Sequence, residues 1–131
     1  MANLSEMRLM IDFTESGLDP EELEELTQHL YQQMDLIEEV KQVERFREVP
    51  PEGSKAGAKD IGKWLSGILA TTINLSNLTQ VVQFLFTRLT GKKVKLKAEV
   101  QGRAIELETT GATQEEVFAL IKALKDFAKA A

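Results

Sequence analysis

A β-hairpin is predicted by the run Val94-Lys95-Leu96-Lys97-Ala98-Glu99-Val100-Gln101-Gly102-Arg103-Ala104-Ile105-Glu106-Leu107-Glu108-Thr109. Apolar and charged residues alternate on both sides of Gln101-Gly102, a dipeptide suited to a two-residue turn. With this turn, a single register pairs apolar residues on one face of the hairpin and lysines with glutamates on the other. The pairs are Ala98–Ile105, Leu96–Leu107, Lys97–Glu106 and Lys95–Glu108. A one-residue slip would expose the apolar set, so the pattern specifies the register of residues 93–109.

The beginning of the chain predicts a strand followed by a helix. Apolar and polar residues alternate from Met7 to Phe13, which is typical of a half-buried strand. Asp19 and Glu22 have the spacing of a capping box around Pro20, which suits the first helical position. The apolar stripe of this helix consists of Leu23, Leu26, Leu30, Met34 and Ile37.

Residues 40–49 fit two interpretations. They extend the first helix through apolar residues at helical spacing, or they form a strand in which Val43 and Arg45 alternate with Glu44. We favour a strand that starts near Lys41, and an edge or half-exposed position would explain its charge. The following Pro50-Pro51 ends either element, and residues 50–60 are predicted to be an exposed loop rich in Gly, Pro and Lys.

Two apolar helices are predicted within residues 61–90. The first carries Trp64, Leu65 and Ile68 at helical spacing and breaks at residues 74–77. The second ends at Gly91 and has a stripe of Leu78, Val81, Val82, Leu85 and Leu89.

The predicted fold is a single α+β domain over residues 1–131. A last helix starts at Thr113, three residues before Glu116, in a capping-box pattern. The element order is therefore β-α-β-α-α-β-β-α, with the helices packed on a sheet of about four strands.

Composition limits the chemistry of the chain. It has 131 residues, no Cys, one His and a formal net charge of −5, which suits one domain and excludes disulfide frameworks and thiolate zinc sites. A match to the G-x-x-x-x-G-K phosphate loop runs from Gly57 to Lys63, but Trp64 follows where magnesium binding needs Ser or Thr. We therefore expect no enzyme activity, no cofactor and no metal.

An uncharged segment precedes a basic cluster. Residues 64–87 contain no ionisable side chain, and the basic cluster consists of Arg88, Lys92, Lys93, Lys95 and Lys97. The cluster is either a solvated face or a patch that binds phosphate groups. No aromatic residues are interleaved to stack bases, so we expect no nucleic acid partner. The uncharged segment motivates a second hypothesis, membrane contact in an activated state.

The chain resembles the bacterial effector-associated constant component family, which occurs with multi-part conflict systems. The resemblance rests on the Pro50-Pro51 loop, on the Gly57-Ala58-Lys59 tripeptide, and on an apolar helical region that ends in the basic cluster. The hairpin and final helix follow in the family's order. Family members usually carry a Trp near the end of the apolar helix, where this chain has Phe84 and Phe86.

The resemblance implies a small, non-enzymatic partner of effector proteins such as caspase-like or trypsin-like peptidases and adaptor-domain fusions. Homo-oligomerisation stays open. The candidate interaction surface is Trp64, Leu65, Ile68, Phe84 and Phe86. The N-terminus lacks the basic and apolar regions of a signal peptide, so we expect a cytoplasmic protein. The alternative is a membrane-active effector released by proteolysis of the 50–60 loop.

Overall fold

The computed structural model describes residues 6–47 and 64–129. In chain order the elements are β1 (Glu6–Asp12), α1 (Pro20–Leu36), β2 (Val40–Arg47), β3 (Trp64–Asn74), a 3₁₀ turn (Leu75–Asn77), α2 (Leu78–Leu89), β4 (Val94–Val100), β5 (Arg103–Thr109) and α3 (Gln114–Lys129). The predicted α+β class is confirmed, with five strands in the described part of the chain rather than about four.

The five strands form one antiparallel sheet in the order β2-β3-β1-β4-β5. β1 lies at the centre, where Leu9 faces Thr71 of β3 on one side and Ala98 of β4 on the other. The inward side chains of β1 and of the residue that follows it are at most 1% exposed, and they are Met7, Leu9, Ile11 and Phe13. The two outer strands, β2 and β5, are the edges of the sheet.

The helices cover one face of this sheet. α1 contributes Leu30 and Met34 to the core, and the buried residues of α2 and α3 include Leu78, Val81, Val82, Leu85, Leu89, Val117, Leu120, Ile121 and Leu124. The other face is charged, because Arg8 lies 3.6 Å from both Glu44 and Glu99. One apolar face and one charged face are typical of an antiparallel sheet with helices on a single side.

The structure confirms the predicted hairpin in full register, including the pairs Ala98–Ile105, Leu96–Leu107, Lys97–Glu106 and Lys95–Glu108. The turn residues Gln101 and Gly102 have φ angles of 51° and 79°. A two-residue type I′ turn requires positive φ at both positions, which Gly tolerates without strain.

Two further predictions are confirmed at α1 and β2. Asp19 accepts a hydrogen bond from the Glu22 backbone N–H, and the Glu22 side chain accepts one from the Asp19 N–H, which completes the capping box. The stretch Val40–Arg47 is a strand and not an extension of α1, and it occupies an edge of the sheet as its charge indicated.

The helix predicted for the first part of residues 61–90 is wrong, because Trp64–Asn74 form β3. β3 lies between β2 and β1, and its neighbouring residues Leu69 and Ala70 are both 0% exposed. Thr72 lies opposite Arg8 on the charged face of the sheet and is half-buried, but β3 carries no charged residue on either face. Periodicity therefore does not separate this strand from a buried helix. The β-branched run Thr71–Ile73 favours the strand. The predicted helix pair is therefore one strand followed by α2, and the order is β-α-β-β-α-β-β-α.

Close packing at Gly111 generates a testable expectation. Gly111 has a φ of +57°, and a Cβ at this position would lie 2.3 Å from Phe86 Cδ1. We expect Gly111→Ala to lower the free energy of unfolding by about 3 kcal/mol, because overpacking adds to the cost of the left-handed conformation. Urea unfolding at neutral pH measures this loss.

Gly91→Ala is the matched control. Gly91 has a φ of +78° with nothing within 4 Å of its Cβ position, so only the conformational cost of about 1 kcal/mol applies. Equal losses in the two variants would contradict a packing role for Gly111.

Candidate interaction site

A groove opens between α1 and β2 at the edge of the sheet. The residues that line it define the Trp64 groove, which encloses about 400 Å³: Gln28, Tyr31, Val43, Glu44, Arg45 and Trp64. Two of these residues come from α1, three from β2 and one from the start of β3. The groove therefore depends on the way in which α1 packs against β2 and β3.

Trp64 is held by two arginines of β2. Arg47 pairs with Trp64 across the β2–β3 ladder, and its guanidinium carbon lies 3.9 Å from the centre of the indole ring. The guanidinium carbon of Arg45 lies 5.3 Å from the same centre, so both arginines are within cation–π distance. Trp64 is nevertheless 47% exposed. A large aromatic ring is thus presented to solvent in a fixed orientation.

Arg45 ties β2 to α1. Its side chain is only 4% exposed, and its two terminal nitrogens donate to the two carboxylate oxygens of Glu24 at 2.7 and 2.8 Å. Further donations reach the Leu65 carbonyl and Gln28 Oε1, both at 3.0 Å. A bidentate arginine–carboxylate pair is geometrically specific as well as strong. It fixes the floor of the groove.

The carboxylate of Glu24 is stabilised in its charged form. The hydrogen bond from Arg45 lowers the pKa of Glu24 from 4.5 to about 2, burial opposes this shift, and a 2.6 Å hydrogen bond from the Ser66 hydroxyl adds to it. Glu24 therefore remains ionised at neutral pH and balances the charge of Arg45.

Thr27 joins α1 to the beginning of β3. Its hydroxyl donates to the Leu23 carbonyl at 2.6 Å and accepts from the Gly67 N–H at 2.7 Å. Thr27 is 0% exposed, so its hydroxyl satisfies a backbone donor that water does not reach. This bond holds Ser66 and Trp64 in register with α1.

Comparison with protein families gives a match between residues 15–125 and the family described as Effector Associated Constant Component 1. The chain belongs to this family. The resemblance that the loop, the basic cluster and the hairpin indicated is thereby confirmed, and the matched residues include the whole Trp64 groove. Comparison with curated proteins and comparison with solved structures each gave no match.

The residues predicted as one interaction surface in this Effector Associated Constant Component 1 chain lie on two elements. Trp64, Leu65 and Ile68 belong to β3, where Trp64 is exposed and the other two are half-buried. Phe84 and Phe86 belong to α2, where Phe84 is half-buried and Phe86 is 4% exposed. The first three were expected on a helix and lie on a strand instead, and of the five residues Trp64 is the one that lines the groove.

Acidic residues accompany part of the basic cluster. Glu15 lies 3.2 Å from the ammonium of Lys95 and 3.9 Å from that of Lys93, and a hydrogen bond with Glu15 raises the pKa of Lys95. Lys93 also lies 3.3 Å from Glu108. Arg88 is instead stacked 4.2 Å from the centre of the Phe84 ring. Lys92 lies in the loop before β4, and Lys97 lies on β4 itself.

Several predicted residues lie outside the described ranges. These are the family-marking positions Pro50, Pro51, Gly57, Ala58 and Lys59, together with the phosphate-loop match from Gly57 to Lys63. Within residues 6–47 and 64–129, no cluster of three or more metal-ligating side chains occurs. No helix in the same ranges has the length and apolar character to cross a bilayer.

Sequence reasoning missed Arg45, Arg47, Glu24 and Tyr31 as parts of a site. The alternation of Arg45 and Arg47 around Phe46 in a predicted edge strand was a usable indication, because it places two guanidinium groups on one face. The partners of these arginines come from α1 and β3, and no spacing along the chain connects those elements.

The hydroxyl of Thr27 generates a stability prediction. We expect Thr27→Val to lower the free energy of unfolding of this Effector Associated Constant Component 1 chain by about 2 kcal/mol, because the buried Gly67 N–H loses its acceptor. Thr71→Val is the matched control: its hydroxyl only donates to the Gln42 carbonyl, so we expect a loss below about 1 kcal/mol. Urea unfolding that ranks the two variants equally would contradict the role assigned to Thr27.

The lowered pKa of Glu24 generates a pH prediction. A lowered folded-state pKa stabilises the protein above the unfolded value of 4.5, and this contribution disappears as the pH falls toward 2. Glu24→Gln should be about 1 kcal/mol less stable at neutral pH, because solvent screens a side chain that is 44% exposed. Urea unfolding between pH 7 and pH 2 should show the gap to wild type closing below pH 4.5.

Glu25→Gln is the control for this pH series. It removes the same charge from an exposed position of α1. A gap between wild type and Glu24→Gln that stays constant down to pH 2 would contradict the assignment of the pKa shift to Arg45.

Proposed function

We propose that this chain is a non-enzymatic protein-interaction component of a bacterial defence system, and that it binds effector or adaptor proteins through the Trp64 groove. The supporting observation is the half-exposed Trp64, which is stacked by Arg47 and lines the same groove as Tyr31. Trp, Tyr and Arg are the residue types that dominate the binding energy of protein interfaces. Family membership supports association with effectors.

The preorganisation of the groove supports the same proposal. Arg45 is locked by Glu24 and the Leu65 carbonyl, and Arg47 is held against the indole. A partner that binds here does not have to immobilise these side chains, which lowers the entropic cost of association. The groove is therefore suited to recognition of a protein surface.

The resemblance guides the choice of partner. Caspase-like and trypsin-like peptidases and adaptor domains are the effector classes implied by the family, and we propose that one of them is the partner, in the cytoplasm. The membrane-active alternative was motivated by the uncharged segment 64–87 beside the basic cluster, which was predicted to form two apolar helices. Because Trp64–Asn74 is a strand within the sheet, no observation now favours that alternative.

Affinity purification from native cells tests the proposal. We expect the tagged wild-type chain to capture an effector or adaptor protein, and we expect Trp64→Ala to weaken this capture at least about 30-fold, which corresponds to an interface hot spot. Phe118→Ala is the matched control, because Phe118 is an aromatic residue of similar exposure, 50%, on α3. Its variant should capture the partner normally.

Two outcomes would contradict the proposal. Recovery of the wild-type chain without any peptidase or adaptor argues against an interaction component. Capture that is lost in Phe118→Ala and retained in Trp64→Ala moves the interface to the surface between α2 and α3. Trp64→Phe, which keeps an aromatic ring, and circular dichroism of each variant separate a binding defect from a folding defect.

A further inference from the structure

We infer that the partner contributes an extended segment that adds a short strand to the outer edge of β2, with a side chain in the Trp64 groove and a carboxylate against Arg47. This inference rests on the proposed function and specifies the chemistry of the partner. It follows from three observations: the edge position of β2, the course of the groove and the charges along the strand.

Within residues 6–47 and 64–129, β2 has a partner strand on one side only. It is the first strand in the sheet order and pairs with β3 from Val40 to Arg47. The backbone N–H and C=O groups on its outer side form no ladder within the described sheet, and such groups are a template for another strand. Extended peptides that add a strand to a sheet edge use this same hydrogen bonding.

The groove lies at the edge of the sheet, between α1 and β2. Its lining includes Val43, Glu44 and Arg45, which are consecutive residues. Consecutive side chains of a strand point to opposite faces, so a cavity that touches all three residues borders the edge strand itself. The opposite wall is made by Gln28 and Tyr31, which are three residues apart on α1 and share a helical face. An added strand would therefore lie between an edge strand and a helix.

Irregular pairing limits the length of the added strand. The β2–β3 register shifts between Val40 and Gln42 and again between Arg45 and Arg47. The regular stretch is consequently Gln42–Arg45, and bulges on either side discourage longer edge pairing. The expected partner segment pairs over about four residues, so its specificity must come from side chains as well as from the backbone.

The charges along β2 indicate which side chain the partner supplies. Lys41 pairs with Glu6, Glu44 with Arg8 and Arg45 with Glu24, so these charges are balanced within the described residues. Arg47 lies against the Trp64 ring, and none of the acidic residues in 6–47 and 64–129 forms an ion pair with it. A carboxylate next to an apolar or aromatic residue complements this guanidinium and the indole edge beside it.

A random twelve-residue peptide library displayed on phage is the probe for the isolated chain. We expect selection against wild type to enrich peptides in which an acidic residue lies next to an apolar one in an alternating segment. Fluorescence polarisation should show at least a 10-fold loss of affinity in Arg47→Gln and no change in Phe118→Ala. Failure to enrich any peptide, or equal binding by Trp64→Ala, would overturn the inference.

Two changes in the selected peptide test its contacts separately. Changing its acidic residue to the amide should cost 10-fold on wild type and nothing on Arg47→Gln, because the same ion pair is already lost. N-methylation of the peptide backbone should abolish binding at every second position and have no effect at the positions between. If the losses of affinity from the amide peptide and from Arg47→Gln simply add, the carboxylate does not lie on Arg47. If N-methylation is tolerated at every position, the peptide does not bind as an added strand.

Hydrogen exchange on the complex with the natural partner separates this inference from the proposed function. We expect the amides of Gln42–Arg45 to gain protection in the complex. Capture of a partner that depends on Trp64 but leaves these amides unchanged would refute strand addition while the proposed function stands. Peptide binding by the isolated chain together with no effector captured from cells would refute the proposed function alone. A second copy of the chain in the groove, detected as a dimer by sedimentation, would refute the inference.

Discussion

The packing of three helices onto a single face of the sheet is the constraint on which the rest of the structure depends. β1 lies in the centre and its inward residues, such as Leu9 and Ile11, are completely buried, so both of its neighbours must present apolar side chains to the same side. α1 packs mainly against the edge strand β2 and its neighbour β3, and α2 and α3 supply further side chains to the same core. The other face is left to ion pairs such as those of Arg8, and the groove lies where the helical layer ends over β2.

The elements that have one buried and one solvent-exposed face could be predicted from the sequence. The hairpin of β4 and β5 and the capping box of α1 are specified by residues that are close together in the sequence, because alternation and cap spacing are local patterns. β3 was not predictable by the same rule. Its position is set by pairing with residues 17 to 33 positions away on one side and more than 50 positions away on the other. Its run from Trp64 to Ile73 carries no charge to reveal an orientation.

The groove was predictable in only one of its residues. Trp64 was singled out as an apolar residue on a helix, and it proved to be an exposed residue on a strand. Its neighbours Arg45 and Tyr31 come from elements whose proximity is decided by the β2–β3 pairing and by the Thr27–Gly67 hydrogen bond. These are tertiary contacts, and no motif in the chain encodes them. The same holds for Glu24, whose charge on α1 resembles that of its exposed neighbours until Arg45 is placed beside it.

The glutamates of β5 have a consequence for the size of any assembly. Glu106 and Glu108 project from the second edge of the sheet, and antiparallel pairing of two β5 strands would bring like charges onto one another. The proposed strand addition at β2 would therefore not be repeated at β5. A complex formed in that way would have a fixed stoichiometry instead of extending into a filament.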